Sequence, residues 1–218
     1  RYGLPPGMIE PNRNILPVAG TREALFSTAL LVVPTKKRGV QPTVLIPDPF
    51  YQIYSGAAIM AGAEPVYVPT TEETGFLPNF HALPTDKLER AALAYLCSPS
   101  NPQGAVASLS QLKSYIQLAR DLDFVLATDE CYCEIYCDKP PPGILEACSS
   151  DVNSVSNVIA FHSLSKRSNV PGLRSGFVVG DSDLITDFAR LRQYTGGASP
   201  GPVLATAAAL WKDEVHVK

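Results

Sequence analysis

No apolar run in this 218-residue chain approaches the roughly 20 residues that a membrane-crossing helix requires. Charge of one sign is scarce too: 18 Lys and Arg against 21 Asp and Glu leave a formal net charge of −3. That balance offers no electrostatic case for nucleic acid or for an anionic membrane surface. The opening stretch, Arg1-Tyr-Gly-Leu-Pro-Pro6, has no apolar segment of the kind a secretion leader carries. It also has no initiator methionine, so the chain is expected to start inside a longer protein. Of the five cysteines (Cys97, Cys131, Cys133, Cys137 and Cys148), no pair has C-x-x-C spacing. An odd number without a leader reads as reduced cytosolic thiols. A zinc site at Cys131, Cys133 and Cys137 with a distant histidine lacks a second pair of ligands, and packing around Glu134 and Ile135 is the better account. Repeats, low-complexity tracts and a clear domain linker are absent as well. A cytoplasmic protein without a metal is expected.

What the chain does have is an ordinary globular composition, 45% apolar and 18% charged, and enough length for one sizeable core. Short β-type runs fall at residues 15–19, 43–47, 65–68, 92–97, 124–128, 158–162 and 176–179. Several are apolar throughout, as strands buried on both faces of a parallel sheet are. Helical stretches lie between them, at residues 21–33, 54–61 and 109–122. The last places Leu112, Tyr115, Ile116, Ala119 and Leu122 on one face, behind a capping box at Ser108-Leu-Ser-Gln111. Asp181 or Ser182 can cap a further helix carrying Leu184, Phe188 and Leu191. Prolines at 140–142 and 200–202 mark loops. The alternation predicts a three-layer α/β/α fold over residues 1–218 with a mostly parallel seven-stranded sheet. The run at 176–179 follows its predecessor too closely for a parallel crossover and is expected to be the one antiparallel strand.

Ligands of open α/β sheets gather at the carboxyl ends of the strands, and the polar residues of interest sit there. The most informative stretch is Ser163-Leu-Ser-Lys-Arg-Ser-Asn-Val-Pro-Gly-Leu-Arg-Ser-Gly176. Lys166 closes a buried strand, where a lysine must find a partner or lose its charge, and Schiff-base lysines occupy such places. Ser163 and Arg174 offer a hydroxyl and a guanidinium fork for phosphate oxygens. A surface Lys166-Arg167 pair is the plainer alternative. Gly20-Thr21-Arg22 opens a helix whose N-terminal amides suit a phosphate or simply a cap. Asn101, in a Pro- and Gly-bounded turn with a candidate cis bond to Pro102, can donate to a phenolate or merely shape the turn. Asp129 can pair with a protonated ring nitrogen, or cap the turn that leads to Tyr132. Tyr51 offers a face to a planar ligand, or to the core.

Together these segments resemble the class I/II aminotransferases, the aspartate aminotransferase-like branch of the fold type I pyridoxal phosphate enzymes. The resemblance covers nearly the whole chain. It implies that Lys166 is the catalytic lysine bonded to the cofactor, pyridoxal 5′-phosphate. By the same resemblance Asp129 holds the pyridine nitrogen, Asn101 and Tyr132 bind O3′, and Tyr51 stacks on the ring. Gly20, Thr21, Arg22, Ser163 and Arg174 hold the phosphate, and Ser165 fits the family pattern. Longer stretches, among them Leu16–Phe26, Pro49–Tyr54, Asp129–Tyr132, Glu134–Tyr136 and His162–Phe177, look like the proteobacterial succinyldiaminopimelate transaminases. Residues 209–217 resemble that group's next helix. These enzymes move an amino group between glutamate and N-succinyl-2-amino-6-oxopimelate on the diaminopimelate route to lysine.

There are departures from the pattern. Gln103 stands where the family's turn usually has Thr, and Thr195 and Leu204 stand where His and Gln are expected. Family members are also about twice as long. The chain therefore reads as the cofactor-binding large domain without an N-terminal arm or a C-terminal small domain, from a protein expected to be a homodimer when full length. Amino-acid and keto-acid substrates are the expected partners. Three other readings share these residues: another aminotransferase or a C–S β-lyase of the same fold, a non-catalytic effector-binding domain, and an inactive truncated product.

Overall fold

Strand–helix alternation resolves into one seven-stranded sheet in the computed structural model, which describes residues 2–149, 155–196 and 198–217. The strands are β1 (Ile15–Val18), β2 (Thr43–Asp48), β3 (Glu64–Pro69), β4 (Ala91–Cys97), β5 (Val125–Asp129), β6 (Val158–Ser163) and β7 (Gly176–Gly180). Their order is β1-β7-β6-β5-β4-β2-β3. β7 runs antiparallel to both of its neighbours, and the remaining pairings are parallel. The expectation of a single antiparallel strand holds for a local reason. Between β6 and β7 the chain makes only the one-turn helix α7 (Leu164–Arg167) and a 3-10 turn at Pro171–Leu173. It returns on the same rim without crossing a face of the sheet.

Side-chain alternation sends each strand into two cores. On one face Leu93, Tyr95, Ile159 and Phe161 pack with Leu25 of α2 (Thr21–Val32), Ala57 of α3 (Gln52–Met60) and Phe188 of α8 (Ser182–Thr195). On the other, Ala94, Leu96, Val158 and Ala160 pack with Leu112 and Ile116 of α5 (Leu109–Asp121) and Leu145 of α6 (Ile144–Cys148). Short α1 (Pro11–Asn14) leads into β1, and α4 (Thr85–Glu89) leads towards β4. Among the described residues no helix is long and apolar enough to cross a membrane.

Local signals account for most boundaries. The predicted capping box is present: Gln111 N donates to Ser108 Oγ at 3.3 Å, and Ser108 N donates to Gln111 Oε1 at 2.9 Å. Asp181 caps α8 by accepting from Asp183 N at 2.9 Å. One expectation fails. The prolines at 200–202 start a helix, α9 (Gly201–Lys212), instead of marking a loop. Pro202 falls in its first turn, where a missing N–H costs nothing.

Strand register decides which side chains can meet at the end of the sheet. Cys97 lies opposite Asp129, Asp129 opposite Phe161, and Ser163 opposite Gly176. The carboxyl ends of β4 and β5 are therefore level, β6 runs on past them from Phe161 to Ser163, and the residues at those ends share one rim.

Candidate active site

That rim borders a cavity of about 520 Å³, within the usual size range of small-molecule sites. Its wall includes Thr21, Arg22, Tyr51, Asn101, Asp129, Tyr132, Ser163, Lys166 and Arg174, nine of the ten residues singled out in the sequence. The tenth, Gly20, lies against Arg174.

The cationic end is built where β1, β6 and β7 meet. Gly20 caps α2 at φ +87° and ψ 154°, a region open in practice to glycine alone. A Cβ there would collide with Arg174 Nη2, so the bare backbone is what lets the guanidinium lie across the turn. Arg174 itself sits in the left-handed region at φ 51°. It donates from Nη1 to Pro171 O at 3.0 Å and from Nη2 to Ala19 O at 3.4 Å. The first-turn N–H groups of α2 have no intrahelical acceptors and face this end. Ser163 ends β6 and accepts from Ser165 N at 3.1 Å. Arg22 Nε donates to Tyr51 OH at 2.6 Å, which steadies that ring at the cavity edge.

Asp129 stands in the middle and is 6% exposed. Cys131 N donates to its Oδ1 at 3.2 Å, and Tyr54 OH donates to its Oδ2 at 2.9 Å. It forms no ion pair among the described residues. Burial raises its pKa above the ordinary aspartate value, and the bonds from Cys131 and Tyr54 offset only part of that. A carboxylate held in place, dehydrated and without a cation suits a positively charged ligand. Burial likewise raises the pKa of the Tyr54 hydroxyl and of the Cys97 and Cys131 thiols, which keeps them protonated around it.

Asn101 and Tyr132 come from the loops after β4 and β5, and Asn101 Nδ2 donates to Tyr132 OH at 3.3 Å. The peptide bond from Asn101 to Pro102 is cis, as are those before Pro49 and Pro99. Burial pushes the Tyr132 hydroxyl up to about 12, so it is a proton donor at neutral pH. Lys166 Nζ lies 5.8 Å from the Tyr132 ring centroid and makes no hydrogen bond or ion pair among the described residues. The lysine is exposed to the cavity. A strand-end position predicted burial, but one turn of α7 lifts the side chain clear of the strand.

Sequence reasoning missed several wall residues. Tyr54 is the most consequential, and its signal was present: it lies one helical turn after Tyr51, in the same aromatic segment. It stacks on Tyr95 with ring centroids 4.4 Å apart, which aims its hydroxyl at Asp129. Cys97, Thr70 and Phe76 also line the cavity. Gln103, which departs from the family turn, donates to Thr70 Oγ1 at 3.3 Å. The three clustered cysteines go separate ways. Cys131 Sγ is 3.1 Å from Thr21 Oγ1, Cys133 Sγ is 3.8 Å from His162 Nδ1, and Cys137 is exposed. Among the described residues no His, Cys, Asp or Glu group is arranged to hold a metal.

Comparison with known proteins agrees with this geometry. The family profile "Aminotransferase class I and II" matches residues 8–218. The LL-diaminopimelate aminotransferase of Aquifex aeolicus is 32% identical over 197 residues, covering 89% of this chain and 48% of the relative. The 4-dedimethylamino-4-oxo-anhydrotetracycline transaminase OxyQ of Streptomyces rimosus is 34% identical over 205 residues, covering 94% and 52%. Among solved structures, an aminotransferase from Neisseria meningitidis superposes with a TM-score of 0.90 at 41% identity, over 96% of this chain and 53% of that one. A probable N-succinyldiaminopimelate aminotransferase from Thermus thermophilus gives 0.87 at 27% identity, over 100% and 55%. The chain thus spans about half the length of the curated relatives it matches.

Proposed function

The chain belongs to the class I and II aminotransferases, a pyridoxal phosphate-dependent family, and from that premise we propose that it is the cofactor-binding large domain of a transaminase of diaminopimelate synthesis. The reaction exchanges an amino group between glutamate or 2-oxoglutarate and N-succinyl-2-amino-6-oxopimelate, in the cytoplasm, in a protein that is a homodimer at full length. The observation that carries the reading is Asp129, a buried carboxylate without a cation, facing a cavity whose other end is cationic. That polarity matches a ligand with a protonated ring nitrogen at one end and a phosphate at the other.

Bound there, pyridoxal phosphate supplies an electron sink for the substrate α-carbon. Asp129 would hold a proton on the ring nitrogen and so keep the sink strong. Asn101 Nδ2 and the Tyr132 hydroxyl would donate to the phenolic oxygen, and Tyr51 would cover the ring. Gly20, Thr21 and Ser163 supply uncharged donors to the phosphate, and Arg22 and Arg174 supply the charge. Lys166 Nζ would be the amine that holds the cofactor aldehyde, and as a free amine it would serve as the base that moves a proton between the substrate α-carbon and the former aldehyde carbon of the cofactor.

Support for the substrate comes from two directions. The names of relatives mention LL-diaminopimelate and N-succinyldiaminopimelate, and the long stretches resembling succinyldiaminopimelate transaminases favour the succinylated compound. The experiment is in two steps. Protein incubated with pyridoxal phosphate is reduced with borohydride and mapped by mass spectrometry, and the mark should fall on Lys166. A mark on Lys37 or Lys139 instead removes the assignment. Glutamate-dependent amination is then compared for the succinylated keto acid and its unsuccinylated counterpart. Preference for the latter keeps the enzyme class and overturns the substrate.

A further inference from the structure

Lys166 and Arg167 are adjacent cations with opposite fates. Lys166 faces the cavity with no polar partner among the described residues, whereas the Arg167 side chain is 5% exposed and bonded through both Nη atoms. Its Nη1 donates to Leu210 O at 2.8 Å, and its Nη2 donates to Glu214 Oε1 at 2.7 Å. Its guanidinium carbon stands 5.1 Å from the centre of the Trp211 ring. Trp211 in turn meets Phe177 of β7 edge-on at 5.0 Å, which ties the assembly to the sheet.

From this arrangement we propose that Arg167 is a positioning residue for Lys166, clamping the helix that carries the lysine to the end of α9. The reasoning starts from length. α7 has four residues, and a helix of one turn has no stability of its own, so outside contacts fix its orientation. Its N-terminal end is fixed by Leu164, whose side chain is fully buried in the core and whose N–H donates to Ser175 O at 3.2 Å, and its C-terminal end by Arg167 and by Ser168 Oγ, 2.8 Å from His216 Nε2. Lys166 lies between them in sequence. Without Arg167 the C-terminal end of the turn keeps only the exposed Ser168–His216 bond among the described residues, and a shift at that end swings a long lysine side chain through the cavity. The fork of Arg167 sets the rotation with two charge-assisted bonds and a ring face. In α9 itself only Ala207 is buried, so the Arg167 clamp is a principal joint between that helix and the rim. The placement of α9 is thereby transmitted to the lysine amine.

The inference rests on the reading of Lys166 as the residue bonded to the cofactor, and the experiment separates the two. Pyridoxamine phosphate has the ring and phosphate of pyridoxal phosphate but no aldehyde, so its affinity reports the grip of Asp129 and Arg174 without the lysine. In the full chain, Arg167→Ala should slow borohydride-trappable capture of pyridoxal phosphate by about tenfold or more, the scale of penalty that misplacing a reacting group carries, and leave pyridoxamine phosphate affinity unchanged. Glu214→Gln should move capture the same way by less. Arg167→Lys, which keeps the charge without the fork, should recover part of the loss. Equal weakening towards both compounds, or no change towards either, overturns the proposal. If circular dichroism shows that Arg167→Ala does not fold, Arg167→Lys and Glu214→Gln decide the matter by the same two readouts. Lys166→Ala is the control on the underlying reading. Capture that survives it removes the site assignment itself, and the role of Arg167 goes with it.

Discussion

At the amino-terminal rim of the sheet, Lys37 donates to the carbonyls of Ala91 at 2.6 Å, Leu122 at 3.0 Å and Asp123 at 2.5 Å. At the carboxyl-terminal rim, Lys166 donates to nothing among the described residues and faces a cavity. Both are lysines beside the ends of β4, β5 or β6, and their surroundings separate them. Lys37 spends all three of its N–H groups on backbone acceptors, and its pKa is lowered by burial, with Asp123 opposing. The first arrangement is complete. The second becomes complete only with a ligand, because among the described residues Lys166 lacks an acceptor and Asp129, on the same cavity wall, lacks a cation. The lesson is that residue type and strand position do not distinguish a structural lysine from a chemical one. Unspent donors and acceptors on neighbouring elements do.

The comparison breaks most directly if the lysines are exchanged in effect. Lys166→Ala should abolish covalent capture of pyridoxal phosphate and slow amino-group transfer by about 10²–10⁴-fold, the usual contribution of a positioned proton carrier. The measurement is borohydride trapping beside a glutamate-release assay, and near-normal turnover would remove the contrast between the rims. Asp129→Asn comes next. Losing one partner of a buried charge pair costs about 3–5 kcal/mol, and titration with pyridoxal phosphate should show a loss of affinity on that scale. The same change should raise the melting temperature of the cofactor-free protein at neutral pH. The sign follows from the raised pKa of Asp129. Its contribution to stability is complete below the unfolded value near 3.9 and fades as the pH rises through the folded value. Melting curves across that interval should therefore lose part of their slope in Asp129→Asn. An unchanged slope with unchanged affinity would mean that the carboxylate has an unseen partner.

The two rims also differ in how plainly the sequence announces them. Apolar runs such as residues 92–97 and 158–162 give the central strands directly, because strands buried on both faces carry no polar alternation to confuse the pattern. The lysine segment, the Asp129 strand end, the Gly20 turn and the segments holding Tyr51 and Asn101 are local features, and nine of the ten residues they suggested line one cavity, with the tenth against it. What stayed hidden depends on contacts between distant elements. Tyr54 reaches Asp129 only because α3 packs its ring on Tyr95 of β4, on one face of the sheet. Arg167 looked like half of a surface pair until α9 covered it. α9 itself was obscured by prolines that mark loops in general and a helix start here. Lys37, in a loop with no motif, gave no signal, since its three acceptors come from chain 54 to 86 residues away.

Two smaller perturbations sharpen the contrast. Gly20→Ala places a methyl group against the Arg174 fork and forces a residue with a Cβ into a glycine-only backbone region. A strain of about 1–3 kcal/mol is expected, read as weaker affinity for pyridoxamine phosphate. Unchanged affinity would show that Arg174 can grip the phosphate from another position.

Lys37→Met is the counterpart at the opposite rim. It removes three bonds to carbonyls and also relieves the cost of keeping a half-buried ammonium. Carbonyls left without a donor outweigh that relief, so stability should fall by about 1–3 kcal/mol, while trapping of pyridoxal phosphate on Lys166 stays as it was. The pH dependence is a second check. Because the pKa of Lys37 is lowered in the fold, its contribution to stability is present above the unfolded value near 10.5 and is lost as the pH falls through the folded value. Denaturant titrations at alkaline pH should therefore show a rise in stability with pH that Lys37→Met lacks. A variant that lost cofactor capture at equal stability would tie the amino rim to the chemistry. The two lysines would then belong to one coupled device instead of two independent ones.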